Sequence, residues 1–179
     1  MKFTLFRLGL AVLVTAASTG AVGLRVGAGA EVIPLNYTDL KDYSTGFGYA
    51  FRADIVWGRF SATTVEMGYR RWDFESSLGT ARKEFRRWGL IQRFYPLSFT
   101  TLKVSPYLGL GITATNRDRF SLYIPDADYA GITFLAGCEI PAGLKRLTVD
   151  PYVRWEWNHE TDWTYSYVSL GGNLVWKLF

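Results

Sequence analysis

Hydrophobic and polar residues alternate with a period of two along most of the chain after residue 21. In the segment 22–32, Val, Leu and Ala occupy every second position, and Arg25, Gly27, Gly29 and Glu31 lie between them. Such alternation is typical of β-strands with one apolar and one polar face. The same pattern recurs in seven further segments, so the sequence predicts eight strands, most of them 10 to 13 residues long.

The length of these strands favours a membrane barrel. Strands of globular proteins cluster near five or six residues, whereas a tilted strand needs roughly 9–11 residues to cross a bilayer. The predicted connections alternate in length, with short ones at 58–62, 96–101 and 141–146 and longer polar ones at 33–45, 73–83, 116–128 and 158–164. We therefore predict an all-β, up-and-down, eight-stranded antiparallel transmembrane barrel over residues 22–179. A soluble eight-stranded barrel remains the alternative, since alternation alone does not say which face is inside.

The first 21 residues have the layout of a secretory signal peptide. Lys2 and Arg7 provide positive charge, residues 8–14 form a short apolar run, and small residues follow. The apolar run is too short to cross a bilayer as a helix, which needs about 20 residues. We expect cleavage between about residues 17 and 21, and export of the mature chain.

Composition narrows the class further. Aromatic residues make up 17% of the chain, and nothing after the signal approaches the 18 consecutive apolar residues of a membrane helix. The net charge of +4 includes both signal-peptide cations, so it gives no reason to expect nucleic acid. The single cysteine, Cys138, is predicted to face lipid.

Aromatic side chains near strand ends predict two interfacial girdles. The members are Trp57, Phe94, Tyr95 and Trp176 near the turns and Trp72, Trp88, Trp155, Trp157 and Tyr165 near the loops.

Charged residues of both signs occupy the predicted inward positions. An eight-stranded barrel has an interior just wide enough for side chains to fill, and buried charges persist when they are paired. We therefore predict a cross-barrel charge network, with Tyr107, Tyr152 and Tyr167 filling the remaining space, that plugs the lumen and leaves the protein as a platform for four external loops. The predicted members are Arg25, Glu31, Arg52, Asp54, Glu66, Arg70, Lys103, Glu139, Asp150, Arg154 and Glu156.

Two surface features suggest chemistry. The run at 81–87 carries Arg82, Lys83, Arg86 and Arg87, which could contact lipopolysaccharide phosphates through charge-assisted hydrogen bonds or could simply be solubilising charge.

The only histidine, His159, lies near Glu156, Glu160 and Asp162, and Ser166 is the nearest serine. A lipid A-modifying enzyme needs a nucleophile, a base and an orienting acid. A solvated loop histidine is the better interpretation, and we expect no catalysis, metal or cofactor.

Two segments and the last residue resemble a known family. The segment "VEMGYRRWDFE" (65–75) resembles the third strand of the opacity-type, OmpA-like small outer-membrane barrels where it runs into the second external loop. The segment "SPYLGLGI" (105–112) resembles the fifth strand of the same family, and the resemblance covers roughly residues 22–179. The terminal Phe179 resembles their assembly signal, although the apolar set containing Leu178 and Trp176 is shifted by one position.

The resemblance implies a structural, envelope-stabilising or adhesive protein in the outer membrane of a Gram-negative-type bacterium. It would be a monomer with both termini in the periplasm, in contact with outer-membrane lipid and lipopolysaccharide. Periplasmic chaperones and the barrel-assembly machinery would act during its export. Beside lipid A modification, a small-solute pore is a further alternative.

Overall fold

A computed structural model describes residues 23–38, 44–76, 79–97, 103–117, 128–159 and 164–178. The predicted signal peptide (1–21) and Phe179 lie outside the described residues. No helix in this described part is long and apolar enough to cross a membrane. Eight strands are present: β1 (Gly23–Thr38), β2 (Gly46–Trp57), β3 (Ser61–Ser76), β4 (Gly79–Phe94), β5 (Ser105–Arg117), β6 (Asp128–Pro141), β7 (Leu147–His159) and β8 (Thr164–Lys177).

The strands close into one barrel. Each strand pairs antiparallel with the next, and β1 pairs with β8. The β2–β3, β4–β5 and β6–β7 connections and both ends of the described chain share one end of the barrel, which we name the turn end. The opposite end, with the remaining connections, is the loop end. The predicted eight-stranded antiparallel barrel is therefore confirmed.

The outer face of the barrel wall is apolar and the inner face is polar, as a membrane requires. Large apolar side chains point outward and are exposed, for example Phe51 (57%), Leu108 (60%) and Ile112 (64%). Side chains between them, such as Glu66 and Arg154, point inward and are buried. A soluble barrel would have the opposite arrangement, because exposed apolar surface is favourable only against lipid.

The β3–β4 hairpin extends beyond the apolar belt, contrary to the long loop predicted at 73–83. The ladder continues to the pair Ser76 and Gly79, so only residues 77–78 connect the strands. On its outward face, Asp73 accepts hydrogen bonds from Arg71 at 3.2 Å and Arg82 at 3.0 Å. Backbone ladder bonds form irrespective of side-chain polarity, and charged residues suit a strand with water around it.

Three predicted girdle residues are inside the barrel instead. Trp72, Tyr95 and Tyr165 are 1%, 7% and 3% exposed, because each shares its strand face with inward residues. The Trp72 indole nitrogen donates to Asn36 Oδ1 at 2.8 Å. The remaining predicted girdle side chains are exposed or half-buried: Trp57, Trp88, Phe94, Trp155, Trp157 and Trp176.

Two apolar clusters occupy the ends of the lumen. The cluster at the loop end contains edge-to-face contacts from Trp72 to Phe85 and Tyr167, with ring centroids 5.3 and 5.5 Å apart. Its members are Ile33, Trp72, Phe85, Tyr129, Tyr165 and Tyr167. The cluster in the turn half contains Ala62, Ile91, Tyr95, Tyr107, Leu135 and Tyr152. Charged side chains fill the space between and around these clusters.

Candidate functional site in the barrel lumen

Six arginines and six carboxylates meet inside the barrel and pair with one another. Each of these side chains is at most 12% exposed. Equal numbers give the set a formal net charge of zero, which a barrel needs because an unpaired buried ion costs several kcal/mol. The pairs divide into two separate groups of three arginines and three carboxylates.

The first group is a closed ring in the middle of the barrel, which we name the ring. Its members, in order of contact, are Glu31, Arg70, Glu156, Arg87, Glu66 and Arg154, and Arg154 returns to Glu31. Each arginine bridges two glutamates, and each glutamate bridges two arginines. Strands β1, β3, β4 and β7 supply these residues, so the ring ties opposite walls of the barrel together.

Several contacts in the ring have the geometry of strong charge-assisted hydrogen bonds. Arg87 Nε donates to Glu156 Oε2 at 2.6 Å, and Arg154 Nη2 donates to Glu66 Oε2 at 2.8 Å. Arg70 donates through Nε to Glu31 and through Nη1 to Glu156, the latter at 3.1 Å. Such bonds are about twice as strong as neutral ones.

The second group is an open chain nearer the turn end, which we name the chain of ions. It runs Glu139, Arg25, Asp54, Arg52, Asp150, Arg93. Arg25 Nη1 lies 2.6 Å from Glu139 Oε2, and Arg93 Nη1 lies 3.0 Å from Asp150 Oδ2. The two terminal members therefore have one ionic partner each among the described residues.

Neutral side chains donate further hydrogen bonds to the carboxylates. Tyr107 donates its hydroxyl to Asp150 at 2.7 Å, and Tyr95 donates to Glu139 at 2.6 Å. Glu31 accepts from Ser169 at 2.9 Å and from Tyr152 at 3.2 Å. Tyr152 thus connects the turn-half apolar cluster to the ring.

Arg93 is the one of the six arginines with a single ionic partner among the described residues, although Arg154 also has two nitrogen atoms, Nε and Nη1, without a hydrogen-bond partner. Arg93 is fully buried, and its Nε and Nη2 atoms have no hydrogen-bond partner among the described residues. Its guanidinium lies over the Tyr107 ring, 4.6 Å from the centroid. A cation above an aromatic face gains a smaller stabilisation than a paired ion, so Arg93 depends strongly on Asp150.

Glycines on the lumen wall make room for the tyrosines. A Cβ atom on Gly171 would lie 2.4 Å from Tyr152 Cζ, and one on Gly137 would lie 2.5 Å from the Tyr107 hydroxyl. Both distances are below any normal contact, so each tyrosine fits only because the facing wall position lacks a side chain.

The structure brings together ten of the eleven residues predicted for the lumen. The exception is Lys103, which is exposed because β5 begins at Ser105 and the alternation does not yet apply. Two network members were missed: Arg87, which was predicted for the outer rim but is 1% exposed, and Arg93. A signal for both existed, since the predicted girdles put Trp88 and Phe94 on the outer face, and the odd-numbered positions that alternate with them, Arg87 and Arg93 included, must then point inward.

The predicted rim patch keeps part of its basic surface. Arg82 and Arg86 are exposed on the outward face of the β3–β4 hairpin. Arg87 cannot take part because it belongs to the ring. The side chain of Lys83 lies outside the part of the chain that the structure describes.

Among the described residues, the side chains near His159 do not form a catalytic arrangement; Glu160 and Asp162 lie outside this part of the chain. His159 is exposed, its Nδ1 lies 2.8 Å from Thr164 Oγ1, and its ring stacks on Trp157. Ser166 is buried at 7% exposure and faces Trp157 in the β7–β8 register. Cys138 is half-buried. The described residues contain no group of three or more His, Cys, Asp or Glu side chains that could hold a metal.

The sequence matches no protein-family model and no curated protein. The structure, however, is similar to several solved barrels. Neisserial surface protein A has a TM-score of 0.66 at 18% identity, over 88% of this chain and 98% of that one. The outer membrane protein OprG from Pseudomonas aeruginosa has a TM-score of 0.60 at 13% identity, over 87% and 96%. Outer membrane protein AlkL has a TM-score of 0.50 at 15% identity, over 88% of both chains.

These likenesses establish the fold as that of small outer-membrane β-barrels. The class predicted from the alternation and from the two resembling segments is confirmed at this level, and the predicted outer-membrane location agrees with it. The structure and its neighbours thus converge on an eight-stranded antiparallel transmembrane barrel of outer-membrane type.

Proposed function

We propose that the protein is a non-conducting outer-membrane barrel with a structural, envelope-stabilising or adhesive role, in which the lumen is closed by its charges and the loop end presents the interaction surface. The observation that carries this proposal is the ring. Its six side chains reach across the lumen from four strands and form ion pairs with one another, so they fill the cross-section that a hydrated solute would need.

The layers on either side of the ring support closure. Aromatic side chains of the loop-end cluster pack above it, and the chain of ions with Tyr95 and Tyr107 lies below it. A pore needs a continuous water-filled path, whereas these three layers bury charged, aromatic and aliphatic groups in turn. The turn end would face the periplasm, as short turns do in outer-membrane barrels.

Planar-bilayer recording tests this proposal directly. The wild-type barrel should show no stable single-channel steps. The double variant Arg154→Ala/Glu66→Ala removes one bonded pair, keeps the lumen neutral, and leaves Arg87, Glu156, Arg70 and Glu31 paired with one another. We expect this variant to conduct, because it opens space in the ring without leaving an unpaired ion.

Large, stable steps from the wild-type protein would refute closure and favour a small-solute pore. A silent double variant that still migrates as a folded, heat-modifiable barrel would show that the ring is not the sole barrier and that the layers on either side close the lumen without it. The fold itself is checked by the gel shift, since a closed ladder of strands resists detergent until it is boiled.

The exposed arginines of the β3–β4 hairpin support a second part of the proposal, contact with lipopolysaccharide. Arg82 lies beyond the apolar belt and Arg86 lies at its edge beside Tyr69, where phosphates of the outer leaflet would be found. The variant Arg82→Ser/Arg86→Ser should weaken lipopolysaccharide co-purification at low salt, because exposed charge contacts are screened by salt. Arg59→Ser/Lys177→Ser, at the turn end, removes the same charge and serves as the control. Equal retention by both variants and wild type would leave the hairpin with solubilising charge alone.

Monomeric state and assembly by periplasmic chaperones and the barrel-assembly machinery belong to the same proposal. The assembly route rests on the export predicted for residues 1–21 and on the resemblance of Phe179 to an assembly signal, and the monomeric state rests on the family resemblance alone.

A further inference from the structure

An apolar groove of about 400 Å³ runs along the outer wall of β4 to β7. One register row crosses its floor, with Phe94 beside Leu108, then Ala136, then Val153. Ala136 is the smallest member of this row. Phe134 and Trp155, stacked with centroids 5.3 Å apart, form a wall next to it. The groove is therefore a depression between bulky side chains on an otherwise convex, lipid-facing surface.

Basic residues lie at the turn end of the same strands. Lys103 precedes β5 by two positions, and Lys145 and Arg146 are in the β6–β7 connection. All three are exposed, and no exposed Asp or Glu accompanies them among the described residues of the turn end. The nearby Glu139 is held by Arg25 at the mouth of the lumen. By contrast, the β3–β4 hairpin at the loop end mixes acidic and basic residues on its outward face.

The spacing between the groove and these cations fits one leaflet of a bilayer. Lys103 and Leu108 are five residues apart, or roughly 17 Å of extended strand. With the usual tilt of roughly 40° this becomes about 13 Å along the membrane normal. Half of the hydrocarbon core is about 15 Å thick. The groove thus lies within the leaflet that borders the turn end, and the cations lie at its headgroups.

We infer that this face binds one anionic phospholipid of that leaflet, with an acyl chain in the groove and the phosphate between Lys103, Lys145 and Arg146. The inference requires the barrel to stand in a bilayer, as proposed above, but not that its lumen is closed. A zwitterionic lipid would bring an ammonium group that these cations repel. A second copy related by two-fold symmetry would bring an identical basic patch against this one, so charge favours the lipid.

Native mass spectrometry of the barrel released from nanodiscs tests the inference. The discs contain phosphatidylcholine with a minor share of phosphatidylglycerol. Wild-type protein should retain phosphatidylglycerol above its share in the disc. Lys103→Gln and Lys145→Gln should each reduce this enrichment about fivefold, and high salt should do the same, because each basic residue contributes modestly to attraction by an anionic surface. Arg146 is left intact because it also donates to the Leu178 carbonyl oxygen at 3.4 Å.

Arg59→Gln is the matched control. Arg59 is an exposed cation of the turn end in the β2–β3 connection, on the opposite side of the barrel from β6 and β7, and its loss should leave the enrichment unchanged. Ala136→Trp should lower retention while every cation remains, because the larger side chain fills the groove and, pointing to lipid, does not disturb the fold.

Three results would overturn the inference. These are wild-type protein without phosphatidylglycerol enrichment, an equal loss in Arg59→Gln, and a dimer mass that disappears in Ala136→Trp, which would assign the groove to a second copy. A conducting barrel that still retains phosphatidylglycerol would contradict the proposed closed lumen and leave this site standing.

Discussion

The ring and the chain of ions contain the same charges but differ in how they are connected. In the ring each ion contacts two opposite charges, so removal of one member leaves each neighbour with another partner. In the chain of ions the terminal Arg93 has Asp150 as its single ion-pair partner among the described residues. We therefore expect pairing within a network to matter as much for stability as the number of charges, because the cost of a buried ion depends on whether any partner remains.

The largest effect should come from neutralising Asp150. Asp150→Asn removes the only carboxylate within ion-pair distance of the buried Arg93 among the described residues, whereas Arg52 keeps Asp54. We expect a loss of about 3–5 kcal/mol in the free energy of unfolding. Urea unfolding in lipid vesicles, followed by tryptophan fluorescence, measures this loss.

Glu156→Gln in the ring is the matched control for that variant. Glu156 also has two arginine partners and is fully buried, but Arg70 and Arg87 each keep another glutamate. We expect a smaller loss, about 1–2 kcal/mol. If Glu156→Gln costs as much as Asp150→Asn, connectivity has no protective effect and the comparison fails.

An intermediate effect should reveal coupling across the ring. Glu66→Leu and Arg154→Met each leave the remaining ions of the ring with one opposite charge fewer, whereas the double variant replaces a bonded pair with apolar groups of similar size. A double-mutant cycle should therefore give a loss smaller than the sum of the single losses by about 1–3 kcal/mol. Strict additivity would show that this side of the ring contributes no net interaction.

The contact between the turn-half apolar cluster and the ring, made by Tyr152, can be tested at the barrel wall. Gly171→Ala should destabilise the barrel by about 1–3 kcal/mol, because the new Cβ displaces Tyr152 from beneath Arg154 and Glu31. The adjacent Gly172→Ala is the control, since a Cβ there meets nothing within 4 Å. Equal stabilities of the two variants in thermal gel-shift assays would show that Tyr152 moves without cost.

The smallest effect is expected at the exposed end of the chain of ions. Glu139 is 11% exposed, and its partner Arg25 also contacts Asp54. Glu139→Gln should cost about 0.5–1 kcal/mol, and the difference from wild type should shrink in high salt. A loss that does not depend on salt would place Glu139 in the same low-dielectric environment as Asp150.

The sequence predicted the architecture and most of the lumen because period-two alternation decides which side of the wall each residue faces. It placed Glu31, Glu66, Arg70 and Arg154 inside correctly. It failed at Arg87, because the run 81–87 was interpreted by its charge although the alternation through Trp88 already points Arg87 inward.

Errors at strand ends have a different cause. Lys103 was assigned by extending an alternation beyond the first residue of β5, and the 73–83 segment was interpreted as a loop because it is charged. The connection of the ions into a ring and a chain was beyond prediction. It depends on the register between strands that are distant in sequence, and no local pattern carries that information.

The ring also has a consequence for the order in which the barrel is built. Glu31 belongs to the first strand, and its partner Arg154 lies 123 positions later, on the seventh. Until the seventh strand arrives, Arg70 and Arg87 lack their second partner Glu156, and Glu31 and Glu66 lack Arg154; a charge at the bilayer centre is costly. Sequential insertion of single strands would meet that cost at every strand that carries one of these ions, whereas insertion of a nearly closed sheet meets it hardly at all. The inward charges therefore favour late, concerted entry into the membrane, with the last strands completing the neutral interior as they arrive.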